Sequence, residues 1–274
     1  MGLWEFVVLR VAFLSGERIA FHGLGRERHP LATTMVAYGG AAGMLWVFCL
    51  VSGHADWVSQ AFWPGAVYAV SFSLYTAALT RGPVSQVSGF ANATVVMLFL
   101  VAPSWNFDVV VALILFVAGS VLLLPRDQPM PMAVLWMLLS DVALVVGRSL
   151  DARQSLDVSL PYAASLFTSV TAWLIIPVTL YGLWRSCVQL VLGRPAWSTV
   201  SALCNGFSYL TVLTLLKMVS LTVVEAISAW AGVAATILGV FAFREGKAIG
   251  VVAGAALMTV GTLILLFSPH GGMR

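Results

Sequence analysis

Apolar residues run along this chain in stretches of about 20, broken at short intervals by glycine, proline and charge. A helix of about 20 apolar residues crosses the roughly 30 Å of bilayer hydrocarbon. Ten such stretches are read, at 3–23, 31–52, 61–80, 84–103, 107–125, 130–149, 160–183, 197–217, 220–242 and 246–268. The breaks fall at 25–30, 53–56, 81–83, 103–108, 125–131 and 246–247, and are too short for a soluble catalytic or nucleic-acid-binding domain. The segment 184–197 carries Trp184, Arg185, Arg194 and Trp197, a composition that suits the headgroup layer, and predicts a short interfacial helix there. The pattern therefore predicts an all-α integral membrane protein with ten transmembrane helices.

The pattern also repeats. Val70-Ser71-Phe72 returns as Phe207-Ser208-Tyr209, and the run Arg10 to Gly16 aligns with Asp141 to Gly147. The proline-rich crossing Pro125–Pro131 separates a first unit, 1–128, from a second, 129–274. Five helices per unit is an odd number, so the two units insert with opposite orientation. Weak internal symmetry in an apolar chain is characteristic of transporters whose site lies between inverted repeats.

Composition sharpens this. Hydrophobic residues make up 60% of the 274 residues and charged residues 9%, against about 25% charged in a soluble domain. The net charge of +3 is spread over short loops, so no nucleic acid or other anionic polymer is expected as a partner. The first stretch holds Glu5, Arg10, Glu17 and Arg18 and is expected to be retained, not cleaved as a signal peptide. Cys49, Cys187 and Cys204 are isolated and read as small packing residues. Arg26, Arg28, Arg81, Arg126, Arg185, Arg194, Arg244 and Lys247 fall on one side, against Arg153, Lys217 and Arg274 on the other. By the positive-inside rule the termini lie outside the cytoplasm. Arginine in excess over lysine and short loops point to a bacterial plasma membrane.

Charges inside apolar stretches carry the functional information, because each costs at least about 2.5–3.5 kcal/mol at the bilayer centre. Arg10 and Glu17 are two turns apart on one face of the first helix, and Asp141 and Arg148 have the same spacing on the sixth with signs reversed. Antiparallel helices place equivalent positions at mirrored depth, so Arg10 falls level with Arg148, and Glu17 with Asp141. Glu225 enters at the depth of the cationic layer and is expected to compensate it. The acidic layer is left for protons, substrate or Arg18. The same residues can serve as static ion pairs, and Arg10 and Arg148 can snorkel to the interface. Glu5, Arg18 and Asp151 are placed near span ends.

Polar and aromatic side chains add a second set. Tyr68, Phe72 and Tyr75 share a face of the third helix, Asn205, Ser208 and Tyr209 share one on the eighth, and Ser88 and Asn92 one on the fourth. An aromatic wall with few convergent polar groups suits a small amphiphilic ligand, although such residues also join helices by hydrogen bonds. The candidate substrate-binding residues are Arg10, Glu17, Tyr75, Ser88, Asn92, Asp141, Arg148, Asn205, Tyr209 and Glu225.

The chain resembles the EamA-type ten-helix members of the drug/metabolite transporter superfamily. The resemblance rests on Tyr209–Lys217, Ser220 to Ala226, Phe243-Arg244-Glu245-Gly246-Lys247 and Gly250–Gly261 in the second half, and on Tyr75–Val101 with Arg81-Gly82-Pro83-Val84-Ser85 in the first. Ala229-Trp230-Ala231 stands where that family carries Glu-Pro. The resemblance implies alternating access by a secondary exporter or permease of small metabolites or drug-like amphiphiles, with cytoplasmic termini, opposite to the charge count.

An enzyme is disfavoured. His22, His29, His54 and His270 lie at loops or span ends, so no metal site is expected, and no nucleophile elbow occurs. No Gly-x-x-x-x-Gly-Lys-Ser/Thr run is present to bind nucleotide. The expected function is secondary transport without catalytic residues, metal or cofactor, with a small-molecule substrate, the bilayer and protons as candidate coupling ion. A homodimer stays open, and the alternative function is a flippase or carrier for a lipid-linked substrate.

Overall fold

The computed structural model describes residues 2–101, 107–123, 132–152, 159–243 and 248–267. Twelve α-helices occur among them: α1 (Leu3–Gly25), α2 (Pro30–Val51), α3 (Phe62–Arg81), α4 (Val84–Phe90), α5 (Ala93–Val101), α6 (Phe107–Leu123), α7 (Met132–Asp151), α8 (Ser159–Leu180), α9 (Trp184–Gly193), α10 (Pro195–Leu216), α11 (Leu221–Phe243) and α12 (Ala248–Phe267). No strand occurs among the described residues. In hydrocarbon every backbone N–H and C=O must be satisfied within the segment, and a helix of apolar residues does this. Among the described residues five helices, at Pro30–Val51, Met132–Asp151, Ser159–Leu180, Pro195–Leu216 and Val223–Phe243, are long and apolar enough to cross a membrane.

The protein is a multi-pass membrane protein, and its outer surface agrees. Val110, Ile114, Val117 and Val121 on α6 are exposed at helical spacing, as are Leu135, Leu139, Val142 and Val146 on α7. These rows face outward while the charged residues face inward. Exposed tryptophans mark both ends of the bundle, with Trp4, Trp57 and Trp63 where α1 and α3 begin, and Trp184 and Trp197 around α9 at the other.

Proline sets several starts. Pro30 and Pro195 occupy the first turns of α2 and α10, where a missing N–H is harmless. The C-terminus of α1 is capped from a distance, because the Arg194 guanidinium donates to the carbonyls of Gly23, Leu24 and Arg26 at 2.9, 3.0 and 3.1 Å. Arg194, expected at the headgroups, thus ties the α9–α10 junction to α1.

The stretch 84–103, expected as one helix, is two. The winding tightens where Asn92 N–H donates to Gly89 at 3.2 Å, and α5 restarts with Val95 N–H donating to Asn92 at 3.1 Å. Non-helical backbone at this depth is tolerated where protein surrounds it, and the break turns Thr94 toward α7. The short α9 sits where an interfacial helix was expected. The proline-rich crossing at 125–131 and the break at 246–247 lie outside the described residues.

Packing is close and pairwise. α1 lies along α10, α3 along α7, α2 along α8, and α6 along α12, while α11 touches α1, α4 and α12. Small residues permit the approach. A Cβ on Gly119 would stand 2.7 Å from the Gly254 carbonyl, and one on Gly40 3.0 Å from Ala202.

Candidate functional site

A cavity of about 60 Å³ lies between α1, α3, α5, α7, α10 and α11. Six charged side chains line it: Arg10, Glu17 and Arg18 from α1, Asp141 and Arg148 from α7, and Glu225 from α11. Each is at most 5% exposed. The aromatic wall consists of Phe72 and Tyr75 from α3 and Tyr209 from α10.

One part of this lining is matched in charge. Arg148 Nε lies 3.1 Å from Glu225 Oε1, and its terminal nitrogen 3.6 Å from Asp151 Oδ2. The guanidinium stands over the rings of Tyr209 and Tyr68, 5.2 and 5.8 Å from their centroids, close enough for cation–π attraction. Asp151 is wholly buried. It accepts hydrogen bonds from three phenols, Tyr209 at 2.6 Å, Tyr162 at 2.8 Å, and Tyr68. One carboxylate thereby joins the end of α7 to α3, α8 and α10. Gly147 makes room for this, since a Cβ there would stand 2.8 Å from the Tyr68 ring.

The other charges are held more loosely. Arg10 donates from Nε to Ser228 Oγ at 3.0 Å, and from its terminal nitrogen to the Ser208 carbonyl at 2.9 Å and to the Ser208 hydroxyl. Arg18 donates to the Ser88 carbonyl at 3.0 Å, while its Nε has no acceptor. Asp141 accepts from Thr94 Oγ1 at 2.9 Å through Oδ1, and its buried Oδ2 has no partner. Among the described residues, neither Arg10 nor Arg18 lies within 4.0 Å of a carboxylate, and neither Glu17 nor Asp141 within 4.0 Å of a cation. Glu17 has the Ser208 hydroxyl, Arg10 and Arg18 for neighbours.

Most of the residues expected from sequence meet here. Arg10, Glu17, Tyr75, Asp141, Arg148, Asn205, Tyr209 and Glu225 all line the cavity. Glu225 pairs with Arg148 as expected of a compensating charge. Ser88 and Asn92 are buried behind the lining. Ser88 supplies its carbonyl to Arg18, and the Asn92 amide packs with Arg18 over Gly232, where a Cβ would stand 2.4 Å from Asn92 Oδ1 and 2.8 Å from the Arg18 terminal nitrogen.

Two residues assigned to span ends belong inside. Arg18 is 4% exposed and lines the cavity, because α1 runs seven residues beyond it to Gly25. Asp151 does end α7, but Tyr162 near the start of α8 and Tyr68 near the start of α3 close over it. A signal was present in the three-residue spacing of Arg148 and Asp151, which puts both on one helix face. The three tyrosines come from helices that only tertiary packing brings together.

Among the described residues no group of three His, Cys, Asp or Glu side chains is placed to hold a metal ion. Cys49 and Cys187 are buried and free.

No family model matches the chain, and no curated protein matches its sequence. A solved crystal structure of a protein 18% identical to it matches over 94% of this chain and 95% of that chain, with a TM-score of 0.65. At that identity the likeness is one of fold.

Proposed function

We infer that the protein is a secondary transporter of small metabolites, built as two inverted five-helix repeats with ten spans and working by alternating access at their interface. The observation that carries this reading is the make-up of the cavity. Positions equivalent between the halves line it in pairs: Arg10 with Asp141, Glu17 with Arg148, Ser71 with Ser208, and Phe72 with Tyr209. A central site lined symmetrically by both halves is where repeat-built transporters bind substrate.

The helix contacts support the same reading. Exchanging α1 with α7, α2 with α8, α3 with α10, α4–α5 with α11 and α6 with α12 maps α1–α10 packing onto α7–α3, and α2–α10 onto α8–α3. The α2–α8 and α6–α12 contacts map onto themselves. In this reading the sequence resemblance to EamA-type drug/metabolite transporters is a relationship of fold and mechanism, and the membrane is the bacterial cytoplasmic one. Glu17 and Asp141, buried without a cation in contact, are the groups through which protons would couple to flux.

The test is flux in proteoliposomes of the purified protein, with a pooled set of labelled metabolites and an imposed pH gradient. Saturable uptake that is lost in Arg148→Gln and steepened by the gradient is the expected result. Absence of flux for every solute, together with movement of a lipid-linked sugar probe, would replace this reading with the flippase alternative.

A further inference from the structure

The cavity holds a balanced set of unmatched charge. Arg148 is matched by Glu225 and Asp151. Two cations, Arg10 and Arg18, and two carboxylates, Glu17 and Asp141, remain without an opposite charge in contact, all at most 5% exposed. Breaking up buried charge pairs in this way is expensive. Two of the four also present unused hydrogen-bonding atoms, Arg18 Nε as a donor and Asp141 Oδ2 as an acceptor. Arg18 and Asp141 line the same small cavity without touching.

Each class of occupant can be weighed against this set. A simple anion satisfies an arginine but approaches two carboxylates, and a simple cation meets the reverse. An uncharged ligand leaves all four charges as they are. Only a molecule carrying both signs, with no net charge, serves both poles. The unused atom on Asp141 is an acceptor, so the cationic end must bring N–H donors, which a quaternary ammonium lacks. Room for about four to six waters, at 10–15 Å³ each, limits the ligand to roughly that many heavy atoms.

The geometry points to a small zwitterion with a primary ammonium and a carboxylate as the ligand of this cavity, its ammonium on Asp141 and its carboxylate on Arg18. This rests on reading the cavity as the substrate site of a transporter, and it names the chemistry that site selects. Thr94 holds Asp141 Oδ1, and Oδ2 is left buried without a partner. The Ser88 carbonyl likewise fixes one terminal nitrogen of Arg18 and leaves Nε for the carboxylate.

Equilibrium binding to the full-length protein in lipid nanodiscs tests this without requiring transport. The probes are glycine and alanine, with methylamine, acetate, alaninamide and isobutyrate as partial matches, none of them larger than alanine. The expected result is saturable binding of glycine or alanine at least tenfold tighter than any partial match. Arg18→Gln is expected to weaken alanine at least tenfold while leaving alaninamide unchanged, and Asp141→Asn to weaken alanine while leaving isobutyrate unchanged. The wild-type probe series needs no variant, so a misfolded substitution does not remove the test. Equal affinity for alanine and its single-charge analogues, or no binding of either zwitterion, overturns the proposal. Flux of some other solute in proteoliposomes alongside that failure would leave the transporter reading standing. Zwitterion binding without flux would remove transport and keep this site.

Discussion

Tyr209 donates its phenolic proton to Asp151 at 2.6 Å, and the same carboxylate anchors Tyr162 and Tyr68. Because Asp151 also faces Arg148 at 3.6 Å, the cluster links the cavity lining to α3, α8 and α10. Its symmetry-equivalent position on α1 is Ala20, so the other half has no such carboxylate.

The first prediction is a ranking of stabilities. Asp151→Asn removes the charge that faces Arg148 and weakens three hydrogen bonds, and losing one partner of a buried pair costs about 3–5 kcal/mol. Tyr162→Phe removes one bond to a charged acceptor, worth about 1.5–3 kcal/mol. Thermal unfolding of the purified protein is expected to order them wild type, Tyr162→Phe, Asp151→Asn. An Asp151→Asn protein as stable as wild type would show that the cluster contributes nothing net.

Arg148 and Glu225 supply the second. At 3.1 Å with both side chains buried, either single substitution strands a charge in the cavity wall. Glu225→Arg, which puts a third cation beside Arg10 and Arg148, is expected to abolish a folded, monodisperse product. A double-mutant cycle of Arg148→Gln and Glu225→Gln is expected to show the double variant less destabilised than the sum of the singles, by about 1–3 kcal/mol. Tolerance of Glu225→Arg without change elsewhere would refute the compensating role.

Much of this site was legible in the chain because charges inside apolar stretches are rare and expensive. Arg10, Glu17, Asp141, Arg148 and Glu225 stood out for that reason, and helical periodicity put the first four on the correct faces. Tyr75, Asn205 and Tyr209 followed from spacing alone. Hidden from the sequence were features set by contacts between distant segments. The break at Asn92 depends on packing that accommodates a non-helical turn, and the burial of Asp151 depends on tyrosines from three helices. Arg18 stands five residues from the end of the apolar stretch 3–23, near enough to suggest the headgroups, whereas α1 continues to Gly25 and packing buries it beside the cavity.

Gly147 gives the third prediction. A Cβ there would stand 2.8 Å from the Tyr68 ring, within the contact that lets Tyr68 reach Asp151. Gly147→Ala is expected to push the ring aside and destabilise by about 1–3 kcal/mol, the range of overpacking in a filled core. Gly39→Ala is the matched control, since its Cβ meets only Thr171 at 3.6 Å, an ordinary contact. Equal melting temperatures for the two variants would mean that α3 and α7 separate at no cost.

Orientation is the fourth. Among the described residues, Arg26, Arg28, Arg81, Arg185 and Arg194 gather at the end where α1, α3 and α8 finish, whereas Lys217 belongs to the end where α10 finishes. The positive-inside rule makes the arginine-rich end cytoplasmic. Two positions report on this with little disturbance. Ala55 is exposed in the α2–α3 connection, and Gly193 at the end of α9 has open space where a Cβ would go. In intact cells, Ala55→Cys is expected to react with a membrane-impermeant maleimide, and Gly193→Cys to react only after permeabilisation. The native background is low, because Cys49 and Cys187 are buried, and Cys204, partly exposed, is replaced by alanine in both variants. The reverse labelling pattern would place the termini in the cytoplasm, as the sequence resemblance implies. It would also show that the arginines at this end act through contacts such as the Arg194 cap on α1, not as topology signals.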